Sequence, residues 1–222
     1  MNFLSHGFRY LDQPYVVAGT AVPDWLSVVD RKIRTRSKHA LPLTLSSDSA
    51  TRDIATGIMH HHRDDLWFHS SRLFAETTLR FAVELRDQLP GDEGFRPSFV
   101  GHILIEILMD SALIARDPTL ADRYYDVIRS VSAAKVQEVV NQVAKSRTTG
   151  LAPVILRFTD ARFLYDYLDN DKLLMRLNQI MVRVGLPLLP GDLIPWLSSA
   201  RRLIALRCDA LLTPPEILTP AS

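Results

Sequence analysis

At 222 residues the chain has the length of one domain with a short tail. Its 26 Lys and Arg against 25 Asp and Glu leave a net charge of +1, which excludes a strongly basic nucleic-acid coat and an acidic disordered chain. The single cysteine, Cys208, excludes an internal disulfide and a cysteine-based zinc cluster.

The opening stretch, Met1 to His6, has no basic region and no long apolar run, and no uncharged apolar stretch reaches the about 18 residues of a membrane span. A cytoplasmic protein acting away from membranes is the expectation. Tyr15-Val16-Val17 is β-prone but short, between Pro14 and Gly19. Segment 31–49 carries Arg31, Lys32, Arg34, Arg36 and Lys38 with no acidic residue among them. It reads either as a solvated loop or as a docking surface for an acidic partner.

From residue 51 onward the periodicity is helical. Residues 51–89 predict one long helix or two joined ones, with Ile54, Ile58, Leu66, Leu73, Leu79, Val83 and Leu85 as the apolar positions. Pro90-Gly91-Asp92-Glu93-Gly94 breaks it. Further helices are predicted over about 97–116, 119–146 and 160–184, the last ending at Gly185 and Pro187. Another follows Pro190-Gly191, with Asp192 as its N-cap. The expected fold is an all-α single-domain bundle of six to nine helices over 1–212, with 213–222 a loose C-terminal tail.

Residues 100–116 are apolar nearly all round, so that helix should be buried. His102, Glu106 and Asp110 interrupt it at steps of four, on one stripe. A buried carboxylate is costly unless paired or metal-bound. His61, Asp65 and His69 repeat the spacing on the preceding segment. Imidazole nitrogen and carboxylate oxygen are ligands for Zn, Mn, Fe and Ni, and two such helices side by side would line a polar core from both walls. The competing reading is a buried salt-bridge network using Arg63, Arg72 or Arg116. Cys208 has no histidine nearby, and neither a phosphate-binding glycine loop nor a dinucleotide fingerprint is present.

Met1-Asn2-Phe3-Leu4-x-His6, then Gly19 and Asp24, then Gly57-Ile58-x-x-His61-x-Arg63-x-Asp65 resemble the bacterial acyl carrier protein phosphodiesterase family. Phe163-Leu164-Tyr165 and Leu177-Asn178-x-x-Met181-x-Arg183-x-x-x-Pro187 resemble its C-terminal helix; segments 30–50 and 119–160 do not align with it. The resemblance implies an all-helical fold akin to the HD-type metal phosphohydrolases. It also implies a divalent metal, typically manganese, and removal of the phosphopantetheine arm from acyl carrier protein. It places His61 and Asp65 in the family's His-Arg-x-Ile-Asp element, and matches Asp24 and His6 to its early aspartate and histidine. Phe68-His69 stands where the family has Thr-Asp, and His102-x-x-x-Glu106 where it has Asp-x-x-x-Asp. More histidine makes a softer site and shifts preference from manganese toward zinc, iron or nickel.

The expected function is therefore a metal-dependent phosphodiesterase acting on a phosphoester, with acyl carrier protein the partner the resemblance implies. The metal would be held by some of Asp24, His61, Asp65, His69, His102, Glu106 and Asp110. Arg63 would offset phosphate charge, and His6 would orient a ligand or protonate the leaving oxygen. The alternative is a non-catalytic helical metal-binding or interaction protein that keeps the fold.

Overall fold

Helix α2 (Pro14–Val29) and helix α4 (Ser49–Ser70) touch backbone to backbone. At their crossing Gly19 faces Gly57: a Cβ on Gly57 would lie 2.1 Å from the Val16 carbonyl oxygen, and one on Gly19 would lie 2.3 Å from that of Ile54. Tyr15-Val16-Val17, β-prone by composition, lies in the first turns of α2. Pro14 opens that helix, where a missing N–H costs nothing. Tertiary packing overrides the local preference, since Val16 and Val17 are buried there.

The computed structural model describes residues 1–89, 91 and 94–214 and shows helix and no strand among them. Before α2 lies the five-residue α1 (Phe3–Gly7). Between α2 and α4 lies the short α3 (Ser37–Ala40), where the sequence predicted only a loop. Ile33, Thr35 and Ala40 turn inward in this segment, while Arg31, Lys32, Arg34, Arg36 and Lys38 are exposed.

The predicted helix over 51–89 is two helices. Ser71 ends α4, and its side chain accepts the Phe74 N–H at 3.2 Å, capping α5 (Arg72–Gln88). The buried stripe of α5 is Phe74, Thr77, Phe81 and Leu85. Leu79 and Val83, named among the apolar positions of the pattern, are exposed, as is Leu66 on α4. Helix α6 (Pro97–Arg116) follows and packs on α1, on α5 and on α11 (Ile194–Leu212). By length and composition alone α6 could cross a membrane; here 67% of its most apolar window is buried inside the protein.

The predicted helix over 119–146 is divided at Val131 into α7 (Leu120–Ser130) and α8 (Ala133–Val143), the second capped by Ser132 through the Lys135 N–H. Helix α9 (Leu151–Ala161) fills a stretch given no element from sequence. It stops at Arg162, whose φ of 45° is left-handed. A 3-10 segment (Phe163–Leu168) and Asp169, which accepts the Lys172 N–H at 2.9 Å, then start α10 (Asn170–Val184). Gly185 at φ 72° closes α10 as expected. Asp192 does not cap α11; it lies in a 3-10 turn (Gly191–Leu193) ahead of that helix. Every helix contributes to one hydrophobic core. Most of the expected C-terminal tail lies outside the described residues, as do three positions of the predicted breaker, Pro90, Asp92 and Glu93.

The neighbours of Gly19 and Gly57 are backbone atoms that no rotamer change can move aside. Gly57→Ala should therefore lower stability by about 3 kcal/mol or more, despite alanine's better helix propensity. Gly191→Ala, with nothing within 4 Å of the added carbon, should stay within about 0.5 kcal/mol of wild type. Urea unfolding of both variants checks the contrast.

Candidate metal centre

The helix crossing sets His61 against α2. Pro23 stands inside α2 and has no N–H, so the carbonyl of Gly19 lacks its intrahelical donor and the ladder opens there. The next carbonyl, that of Thr20, takes the His61 ring: Nδ1 lies 2.8 Å from it. A carbonyl can only accept, so Nδ1 carries a proton and Nε2 is the nitrogen turned toward the centre. That Nε2 lies 3.3 Å from Asp65 Oδ2, one helical turn on. Backbone orientation of the far nitrogen is the usual support of a ligating histidine.

His6 completes this group from α1. Its ring stacks on that of His61 with centroids 4.0 Å apart, and its Nε2 lies 3.3 Å from Asp65 Oδ1. Both ring nitrogens of His6 are buried without a well-formed hydrogen bond. A second group gathers on Glu106: His69 Nε2 stands 2.9 Å and His102 Nε2 3.2 Å from the same oxygen, Oε1. In each group the candidate donor atoms lie within 4.8 Å of one another. The α-ammonium of Met1 joins the two groups, 2.8 Å from Asp65 Oδ1 and 3.2 Å from Glu106 Oε1.

The electrostatics follow from this packing. Burial works to raise the pKa of Asp65, but His6, His61 and the ammonium outweigh it and hold the carboxyl well below the usual range. Glu106 is likewise depressed, against its burial, by the ammonium, His102 and His69. The ammonium is pushed up to about 10: burial opposes its charge, but the Glu106 and Asp65 carboxylates prevail. Asp24 goes the other way, up to about 7, because burial outweighs the pull of His61 and the ammonium. One of its oxygens is covered and has no partner. Asp24 and Glu106 lie together in the wall of a cleft of about 400 Å³ that opens beside the two groups.

Six residues named from sequence thus form the two groups: His6, His61 and Asp65 in one, His69, His102 and Glu106 in the other. Asp24 stands beside them without joining either. Asp110 has a different task from the ligation expected of it. It is fully buried, and its oxygens accept the Leu4 N–H at 3.0 Å, the Ser5 N–H at 2.8 Å and the Ser5 hydroxyl at 2.7 Å. It serves as the N-terminal cap that α1 lacks and so fixes the helix bearing His6. Burial raises its pKa to about 6 despite those bonds. Arg63, expected to offset phosphate charge, is engaged with other side chains. It lies on the outer side of α4, paired at 3.1 Å with Asp64 and 3.3 Å from the Tyr10 hydroxyl.

Asp64 was not singled out from sequence. It is buried, with Arg63 on one oxygen and His6 Nδ1 3.9 Å from the other, and so helps position the His6 ring. The signal was present, since Asp64 stands four residues after His60 and beside Asp65. The three consecutive histidines diverge: His60 stacks on Tyr10 and His62 donates from Nε2 to the Thr35 carbonyl at 2.7 Å, leaving only His61 in the centre.

Comparison with protein families, with curated proteins and with solved structures gave no match to this chain.

Replacing Asp110 separates its capping role from ligation. Asp110→Ala strands the Leu4 and Ser5 donors and should cost about 2–3 kcal/mol in urea unfolding, with Asp110→Asn milder because one acceptor remains. Bound metal lost from Asp110→Asn at unchanged stability would make Asp110 a ligand instead.

Proposed function

We propose that this protein is a divalent-metal-dependent phosphoric ester hydrolase whose metal is held by His6, His61 and Asp65 together with His69, His102 and Glu106. One observation carries this reading: four imidazoles and two carboxylates from three helices converge beside an open cleft. The fit is chemical as well as spatial. The ring nitrogens of His6 are buried with no well-formed hydrogen bond, and one oxygen of Asp24 is buried without a partner, a state that costs free energy unless something binds there. The Thr20 carbonyl holds His61 by Nδ1 and so turns Nε2 to the side of Asp65, where it can serve as a ligand. Nitrogen-rich donors with carboxylates suit zinc, iron, nickel or manganese.

A bound divalent ion would polarise a phosphoryl oxygen and lower the pKa of an attacking water. The protein's own groups supply the rest. Asp24, beside Glu106 in the cleft wall, would accept the proton of that water. Asp64, locked by Arg63, would hold the ring of His6, and Asp110 would hold its backbone. The resemblance of residues 1–24 and 57–65 to acyl carrier protein phosphodiesterases supports the same chemistry and an all-helical scaffold akin to HD-type phosphohydrolases. An acyl carrier protein is one partner it suggests.

A second reading rests on a specific observation: each carboxylate of the centre already has cationic or N–H partners. Such a cluster can serve as a salt-bridged polar core in a non-catalytic protein.

Metal analysis by mass spectrometry on untagged protein separates the two. Near-stoichiometric metal in wild type, lost in the His102→Ala/Glu106→Ala double variant together with hydrolysis of bis(p-nitrophenyl) phosphate, is expected. Absence of metal after reconstitution with manganese, iron, nickel and zinc would overturn the hydrolase and leave the salt-bridged core.

A further inference from the structure

The cleft beside the metal centre has a charge pattern of its own. Its acidic end is Glu106 and Asp24. Its walls are aromatic: Phe3, Trp25, Phe158 and Phe163 line it and brace one another, with Phe3 and Phe158 centroids 4.8 Å apart and Phe158 and Phe163 at 5.3 Å. Its basic residues are Arg157, Arg176 and Arg183. Asp166 neutralises Arg176 at 2.8 Å. Arg157 and Arg183 are exposed, hence at the rim, and have no carboxylate partner among the described residues. Arg31 adds to the imbalance, since its guanidinium donates to the backbone carbonyl of Arg183 and brings a second positive charge there. Partial desolvation of the guanidinium and the nearness of Arg31 both push the Arg183 pKa down. Two like charges held together without a counter-ion favour an anion between them.

We propose that this cleft takes a small-molecule phosphoester with two anionic groups on either side of an apolar segment. The scissile phosphate would lie at the Glu106 and Asp24 end, and the second anion on Arg157 and Arg183 at the rim. The assignment of the scissile end rests on the hydrolase reading above; the assignment of the rim does not. The size of the cleft agrees. About 400 Å³ is far more than a free phosphate fills and lies within the range of ordinary small-ligand sites. The walls are mainly aromatic, with Asn2, Ser27, Tyr167 and Gln179 as polar positions among them, so a largely apolar or planar segment suits the middle of the cleft.

Isothermal titration with hexane-1,6-diyl bisphosphate and with hexyl phosphate tests the rim. The two probes share the alkyl segment and differ in the second anion. Wild type should bind the bisphosphate at least about tenfold more tightly, the worth of a charge-assisted hydrogen bond or two. Arg157→Ala/Arg183→Ala should abolish that advantage; both side chains are exposed, and the urea midpoint confirms folding. Equal affinity of the two probes for wild type, or an advantage that survives the double variant, would overturn the proposal. Running both titrations with metal-free and manganese-supplemented protein keeps the two ideas apart. A bisphosphate advantage in protein that neither binds metal nor hydrolyses phosphoesters supports the rim and ends the hydrolase reading. Hydrolysis of hexyl phosphate without any advantage for the bisphosphate does the reverse.

Discussion

The contact on which the centre depends is the backbone approach of α2 and α4 at Gly19 and Gly57. With any side chain at either position the helices would stand further apart, because the opposing atoms are a carbonyl and a Cα. That approach puts the Thr20 carbonyl within reach of His61, one turn beyond Gly57, and Asp24 next to the same ring. Two glycines, neither of them chemically reactive, therefore set the direction of the first candidate ligand.

The third wall is α6, whose polar stripe does two kinds of work. Its outer part, His102 and Glu106, faces α4 and the cleft. Its inner part, Asp110, is sunk in apolar core and spends its oxygens on the start of α1. The two carboxylates titrate in opposite directions for that reason. Glu106 is surrounded by groups that are or can become cationic, which overcome the cost of burial. Asp110 is surrounded by neutral donors, which do not. A helix as short as α1 is not stable alone. It is held by Asp110 and by the burial of Phe3 and Leu4, and through it α6 governs where His6 stands.

Much of this was legible in the sequence because helix geometry is local. A step of four residues keeps side chains on neighbouring turns, so spacing alone pairs His61 with Asp65 and His102 with Glu106. The same geometry limits the rule. Each step of four advances about 40° around the axis, so a triplet drifts across the face. His69 has turned from Asp65 toward Glu106, and Asp110 from the centre toward α1. Arg63, two residues from His61, had to lie on the far side of α4. Helix ends were less legible. Ser71 and Ser132 interrupt long amphipathic patterns, and a serine reads as a cap only when the chain already turns there. The all-helical class needed none of these details, whereas the Thr20 carbonyl and the cleft required the packing of α2, α4 and α6, which no spacing encodes.

The charge layout of the cleft bears on the choice between a metal centre and an inert polar core. A salt-bridged core is complete in itself and gains nothing from an adjoining cavity. Here the acidic residues Glu106 and Asp24 open onto aromatic walls, and the unneutralised Arg157 and Arg183 stand at the edge of the same space. An anion drawn in by the rim would meet carboxylates at the far end and be repelled unless a cation lay between. On the proposed reading, positive rim, apolar middle and carboxylate end make one binding site with a divalent cation at the carboxylate end, beside the ring nitrogens of His6.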